Sequence, residues 1–131
     1  MAGEKDLTTL LATMEPILQE GDFVFCSVPG LGGIDLQEVV MFFREQEGVT
    51  LILRKEVADR LDFAYGFVAA WITLSVHSSL EAVGFTAAFS KALAEPGISC
   101  NVVAGYYHDH IFVGRGEVGR AMEVLRGMRR R

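Results

Sequence analysis

Between Trp71 and Val113 apolar residues follow two rhythms in turn, and polar groups gather where one rhythm gives way to the next. Trp71–Val76 alternates, as a half-buried strand does. Residues 78–94 then carry apolar positions at helical spacing and stop at Pro96-Gly97, where a helix end belongs. Residues 98–105 and 110–113 read as two further strands joined through Tyr106–Asp109. Ala121, Val124, Leu125 and Met128 make the apolar stripe of a last helix. The result is β-α-β-β-α, one strand short of the β-α-β-β-α-β unit of a ferredoxin-like sheet. The joints of such a unit are where it can hold a small ligand.

The first half is patterned less regularly. Leu7, Leu10, Leu11, Met14, Ile17 and Leu18 recur at helical spacing behind Asp6, which is placed to cap the start. Pro16 should kink that helix or end it early. Residues 23–28 form a strand that Pro29-Gly30-Leu31-Gly32-Gly33 stops. Residues 39–44 and 49–53 pair as a hairpin about Gln46-Glu47-Gly48, and residues 56–61 make a short helical turn. The strand at 23–28 is expected to complete or extend the sheet of the second half. The fold class is therefore α+β, in two units, residues 1–62 and residues 63–131.

Charge and hydropathy narrow the possible roles. Half of the 131 residues are hydrophobic and the mean hydropathy is +0.30. A chain of this size buries only roughly two-thirds of its unfolded surface by folding. Some apolar surface is thus expected to meet a second copy, as a homodimer or higher homo-oligomer. The net charge of −5 excludes the basic footprint of a nucleic-acid binder. Residues 1–62 hold 12 acidic against 5 basic residues, a net of −7, and residues 63–131 hold 5 against 7, a net of +2. Arg126, Arg129, Arg130 and Arg131 suit the negative end of a helix. The stretch from Phe63 to Leu80 lacks Asp, Glu, Lys and Arg, yet Thr73, Ser75, His77, Ser78 and Ser79 interrupt it. It reads as a buried strand and a helix start, not as a membrane span. Glu4 and Asp6 stand where a signal peptide would be positive, so a cytoplasmic, reducing location is expected. Cys26 and Cys100 have no motif spacing and read as inert core thiols.

Three segments carry a resemblance. Ser78-Ser79-Leu80-Glu81-Ala82-Val83-Gly84-Phe85, Gly97-Ile98-Ser99-Cys100-Asn101-Val102-Val103-Ala104-Gly105 and Tyr107-His108-Asp109-His110-Ile111-Phe112-Val113 resemble the ACT domain. More narrowly, they are similar to small bacterial proteins of unassigned function built from two ACT-like units. They also resemble the ACT repeats of lysine-sensitive aspartate kinases and of the cytosolic arginine sensor of the TOR pathway. The match is strong over residues 70–127 and weaker over 22–62, where the EQEGVTLIL hairpin and the short helix carry it. The resemblance implies a ferredoxin-like ACT architecture, two units in tandem with the first irregular, and an amino-acid-binding regulatory role. It also implies pairing of sheets side by side.

The candidate residues lie at the joints. Ser78 and Glu81 fit a capping box, which would fix the helix start. A helix N-terminus can also receive a carboxylate, and in ACT domains the turn at this place holds the effector's main-chain atoms. His77, Ser78 and Ser79 occupy it here. Gly84, early in the helix, costs about 1 kcal/mol relative to Ala, which close approach of a ligand or tight packing would explain. Asn101 points to the open face of its strand, toward an effector, a partner strand or solvent. Asp109 either starts the strand or faces the effector's ammonium, and the Asp-His pair Asp109-His110 has a counterpart in the arginine sensor. His108, Asp109 and His110 with Cys100 nearby also invite a zinc site, but zinc needs three or four converging ligands and no spacing supplies them. The expectation is a non-catalytic sensor without cofactor or metal, acting on a separate protein partner. A constitutive dimeric scaffold with a vestigial ligand turn is the alternative.

Overall fold

The computed structural model describes residues 3–129; Arg130 and Arg131 of the C-terminal arginine cluster lie outside them. Two compact units are present. One is Glu20–Ala69, and the other joins the chain up to Gln19 with the chain from Ala70 onward.

In the second of these, α1 (Leu7–Thr13) starts at Asp6, whose carboxylate accepts from the Thr9 amide at 3.0 Å. Pro16 ends it early, and residues 15–18 are not helix. They form β1 (Glu15–Leu18), antiparallel to β5 (Val68–Ser75), with Pro16 opposite Leu74. The Gln19 amide donates to the Trp71 carbonyl. By alternation the amides of Ile17 and Glu15 point the same way, while position 16 points outward, where proline's missing donor leaves no bond unmade. After β5 come α3 (Phe85–Ala94), β6 (Asn101–Ala104), β7 (Asp109–Gly114) and α4 (Val118–Met128). The strand order is β1-β5-β7-β6, that of a ferredoxin-like sheet whose fourth strand comes from ahead of the first. The strand expected to complete or extend the sheet was residues 23–28; β1 completes it, and residues 23 and 24 pair with the first two residues of β5. Helices cover one face. Leu10, Met14, Ile72, Leu74, Phe89, Leu93, Ile111, Val113 and Leu125 are fully buried among them.

The other unit holds β2 (Phe23–Val28), β3 (Val39–Arg44), β4 (Val49–Arg54) and α2 (Lys55–Arg60). β4 lies between β3 and β2, and Phe23 and Val24 pair with Ala69 and Val68. The order is again ferredoxin-like, but a loop and a 3₁₀ turn at Leu36–Glu38 stand where the other unit has α3. That is the irregularity expected of the first unit. Both guanidinium bonds of Arg60 to Glu38, at 2.6 and 2.7 Å, tie the turn to α2.

The helix expected from Ser78 starts only at Phe85, after Gly84 at φ +94°. The capping box does not form. Glu81 pairs with Lys5 at 2.8 Å instead, and the backbone of residues 77–79 bonds to Glu4. The strand expected over 98–105 contracts to β6. Among the described residues no helix is long and apolar enough to cross a membrane.

Phe89, fully buried and in edge contact with Phe85 at 5.2 Å between ring centroids, anchors α3. Phe89→Ala is expected to cost about 3–5 kcal/mol, read as a lowered urea midpoint at unchanged slope.

Candidate functional site

Between β5 and α3 the chain runs as an irregular loop, residues 76–84, and its backbone is held from outside. The Ser78 amide donates back to Val76 at 2.9 Å, and the Ala82 amide to Ser79 at 3.0 Å. The His108 ring, just ahead of β7, lies 3.0 Å through Nδ1 from the Val76 carbonyl. A carbonyl only accepts, so Nδ1 carries the proton.

Beneath the loop lies Asp109. It is the first residue of β7 and only 8% exposed. The Ser78 hydroxyl donates to its carboxylate, and the charge of His108 favours ionisation, yet burial outweighs both and pushes its pKa up. Ser78, itself buried, Ser79, Phe85, Thr86 and Ala104 share with Asp109 a cavity of about 70 Å³. A wider one of about 230 Å³ opens above, lined by Gly3, Lys5, His77, Ser79, Leu80, Glu81 and Tyr106. His77 packs against Tyr107 at 5.1 Å and Tyr106 at 6.5 Å between centroids. Gly84 closes the loop; a Cβ there would meet Leu7 at 3.2 Å and would be strained by the backbone's φ of +94°. Packing and backbone conformation together account for that glycine.

His77, Ser78, Ser79, Gly84 and Asp109 thus come together. Asn101 and His110 do not join them. Adjacent strand residues point to opposite faces, so His110 turns away from Asp109 onto the open face. Asn101, exposed there too, donates from Nδ2 to the Phe112 carbonyl at 3.3 Å. His110 belongs to another network. The Trp71 indole donates to its Nδ1 at 3.1 Å, Thr73 Oγ1 lies 3.0 Å from the same nitrogen, and Gln19 donates to Thr73 at 2.9 Å. An indole N–H only donates, so Nδ1 is unprotonated and the ring neutral. Burial, then the charge of His108, pushes its pKa down.

Among the described residues no three His, Cys, Asp or Glu are grouped to hold a metal ion. Burial pushes the thiols of Cys26 and Cys100 up, away from thiolate chemistry. Sequence reasoning missed Gly3, Glu4 and Lys5, which reach the loop across more than seventy residues, and no local spacing announces such a contact. It also missed Gln19 and Thr73.

Models of the ACT domain match residues 2–70 and residues 61–127. Among solved structures, a protein of unknown function from Vibrio cholerae, described as a possible transport protein, is 47% identical. That match covers 95% of this chain and 97% of the other, with a TM-score of 0.85. A protein from Agrobacterium tumefaciens has 14% identity over 88% and 89% of the two chains, with a TM-score of 0.71. The ligand-free regulatory subunit of aspartate kinase from Thermus thermophilus has 10% identity over 90% and 98%, with a TM-score of 0.61. The last two likenesses are of fold. No curated protein matches the chain.

The two titrating groups on β7 act on stability in opposite senses. Asp109 holds its proton in the folded chain above 3.8, where the unfolded chain has lost it. Its contribution is therefore present below that value and lost as pH rises through the raised folded one. Asp109→Asn is expected to remove that decline in a Tm-against-pH series. His110 resists protonation that the unfolded chain accepts near 6.5, so stability falls as pH drops below that value. Trp71, the chain's one tryptophan, should report the event directly. Its fluorescence is expected to change with a midpoint below 6.5, and His110→Gln to abolish the transition.

Proposed function

As a member of the ACT-domain family this chain carries two tandem ACT domains, and we propose that it is a non-catalytic sensor of a free amino acid. One observation carries the reading: a buried carboxyl, Asp109, that lines a cavity together with Ser78 and Ser79 of the loop. Its neighbours do not compensate its burial. A ligand ammonium would supply the missing countercharge, and a charge-assisted bond of that kind is about twice as strong as a neutral one. His77, Ser78 and Ser79 would hold the effector's main chain at the loop, and Gly84 would set the loop's exit. Asn101 and His110 lie on the other face, bonded to Phe112 and to Trp71 and Thr73. As sequence repeats the units are proposed to run 1–62 and 63–131.

The effector would be drawn from the cytoplasmic pool and would change the chain's grip on a separate protein. Exposed Leu80, Val83, Tyr106 and Tyr107 around the loop, each more than 60% accessible, supply apolar surface for a homodimer or such a partner.

A thermal-shift panel of single amino acids at millimolar concentration, run on wild type and Asp109→Ala, tests this. A ligand at about 100 times its Kd adds roughly 2.7 kcal/mol to the native state, a shift of several degrees. The expected result is a selective shift that Asp109→Ala loses. No shift with any amino acid would reject the sensor and leave a constitutive dimeric scaffold.

A further inference from the structure

The backbone groups that the loop offers to a ligand are already bonded, and the residue bonded to them has the atoms of an amino acid. The Glu4 amide donates to the His77 carbonyl at 2.7 Å, and the Ser79 amide donates to the Glu4 carbonyl at 2.8 Å. Both bonds come from one residue, in a parallel bridge opposite Ser78. A free α-amino acid presents the same pair, a nitrogen donor and an oxygen acceptor joined through one Cα. Its ammonium would donate to His77 O and its carboxylate would accept from Ser79 N. Each bond would then be charge-assisted, which those of Glu4 are not.

We propose that residues 3–5 form a tethered strap in which Glu4 stands in for the effector's main chain, so that strap and effector exclude each other. This rests on the amino-acid reading above and specifies it: the ligand is recognised through its α-ammonium and α-carboxylate. The strap is built to lie flush. A Cβ on Gly3 would come within 2.7 Å of His77 O, Ser78 C and Ser79 N, all backbone atoms that cannot give way. The Glu4 side chain turns out of the site and accepts from the Lys5 and Asp6 amides at 3.0 and 3.1 Å. Lys5 clasps the loop through Glu81, and both side chains are largely exposed, so the clasp is weak and reversible. Two neutral hydrogen bonds and one solvated ion pair hold a lid that a charged ligand can displace. The apparent affinity of the site is then its intrinsic affinity reduced by the fraction of chains with the strap lifted.

The test uses the full chain, the Gly3→Val variant and the Lys5→Glu variant, which repels Glu81. Each is titrated with single L-amino acids, and amide hydrogen exchange is followed at Glu4 and Ser79. Gly3→Val is expected to bind the selected amino acid about tenfold more tightly than wild type, as it should if the strap is closed in about nine chains of ten. Lys5→Glu should move affinity the same way by less, and it carries the comparison if Gly3→Val fails to fold. In wild type, saturating amino acid should expose the Glu4 amide while Ser79 stays protected, its bond passed to the ligand carboxylate. Equal affinity in wild type and variants, or a Glu4 amide still protected at saturation, overturns the strap and leaves the sensor standing. Absence of binding to any of the three chains overturns the sensor, and the competition falls with it.

Discussion

The pairing of Glu15–Leu18 with Ser75–Ile72 is the constraint on which the rest of its unit depends. It is only four residues long, yet it brings residues 3–19 to a sheet formed more than fifty residues later. Once β1 is in register, α1 has one place to go, and Leu10 and Met14 enter the core with no exposed surface. The ion pair of Arg129 with Glu15 adds a second tie, from the end of α4 to the start of β1. The segment ahead of α1 is then led to the 76–84 loop. Leu7 packs toward Gly84, Lys5 reaches Glu81, and Glu4 bonds on both sides of Ser78. A proline that forbids a longer helix has thereby positioned the strap at the far end of α1.

What the sequence disclosed was whatever local chemistry decides. Asp6 caps α1, β2 and β3 run over the expected spans, and Pro96-Gly97 follows the end of α3. Errors came where a distant backbone competed with a local pattern. Ser78-Ser79-Leu80-Glu81 is a sound capping box in isolation. In the folded chain the Ser79 amide already has Glu4 as its acceptor, Ser78 has Asp109, and Glu81 has Lys5. Each is a contact across thirty residues or more, so the pattern lost its partners one by one. Ile17 and Leu18 failed differently: their helical spacing with Leu10 and Met14 is genuine, but Pro16 stands between.

The split of the candidate residues was legible from strand parity alone. Asp109 and His110 are neighbours on one strand and point to its opposite faces, whatever their joint resemblance to a familiar pair. Their surroundings separate them further. The carboxyl is pushed toward its neutral form by burial under the loop, and the imidazole toward its neutral form by burial beside Trp71. One strand thus carries two neutral-leaning groups on opposite faces, one against the cavity and one against a packed indole.

Those two groups differ in what would satisfy them. His110 has its needs met within the chain: an indole donor, a threonine hydroxyl, and a glutamine behind it. Asp109 has a single serine donor and the charge of the adjacent His108, and burial still prevails. In the free chain such a carboxyl lowers stability at neutral pH, and a scaffold would gain by losing it. A binding domain can carry that cost, because the same unmet charge becomes differential affinity for a cation that arrives there. The strap sharpens the argument. It satisfies the loop's backbone with Glu4's neutral amide and carbonyl and leaves the carboxyl below without a cationic partner among the ion pairs of the described residues. A free amino acid would bring charge-assisted bonds to the loop where Glu4 offers neutral ones, and that difference is what would let it displace a segment tethered in place.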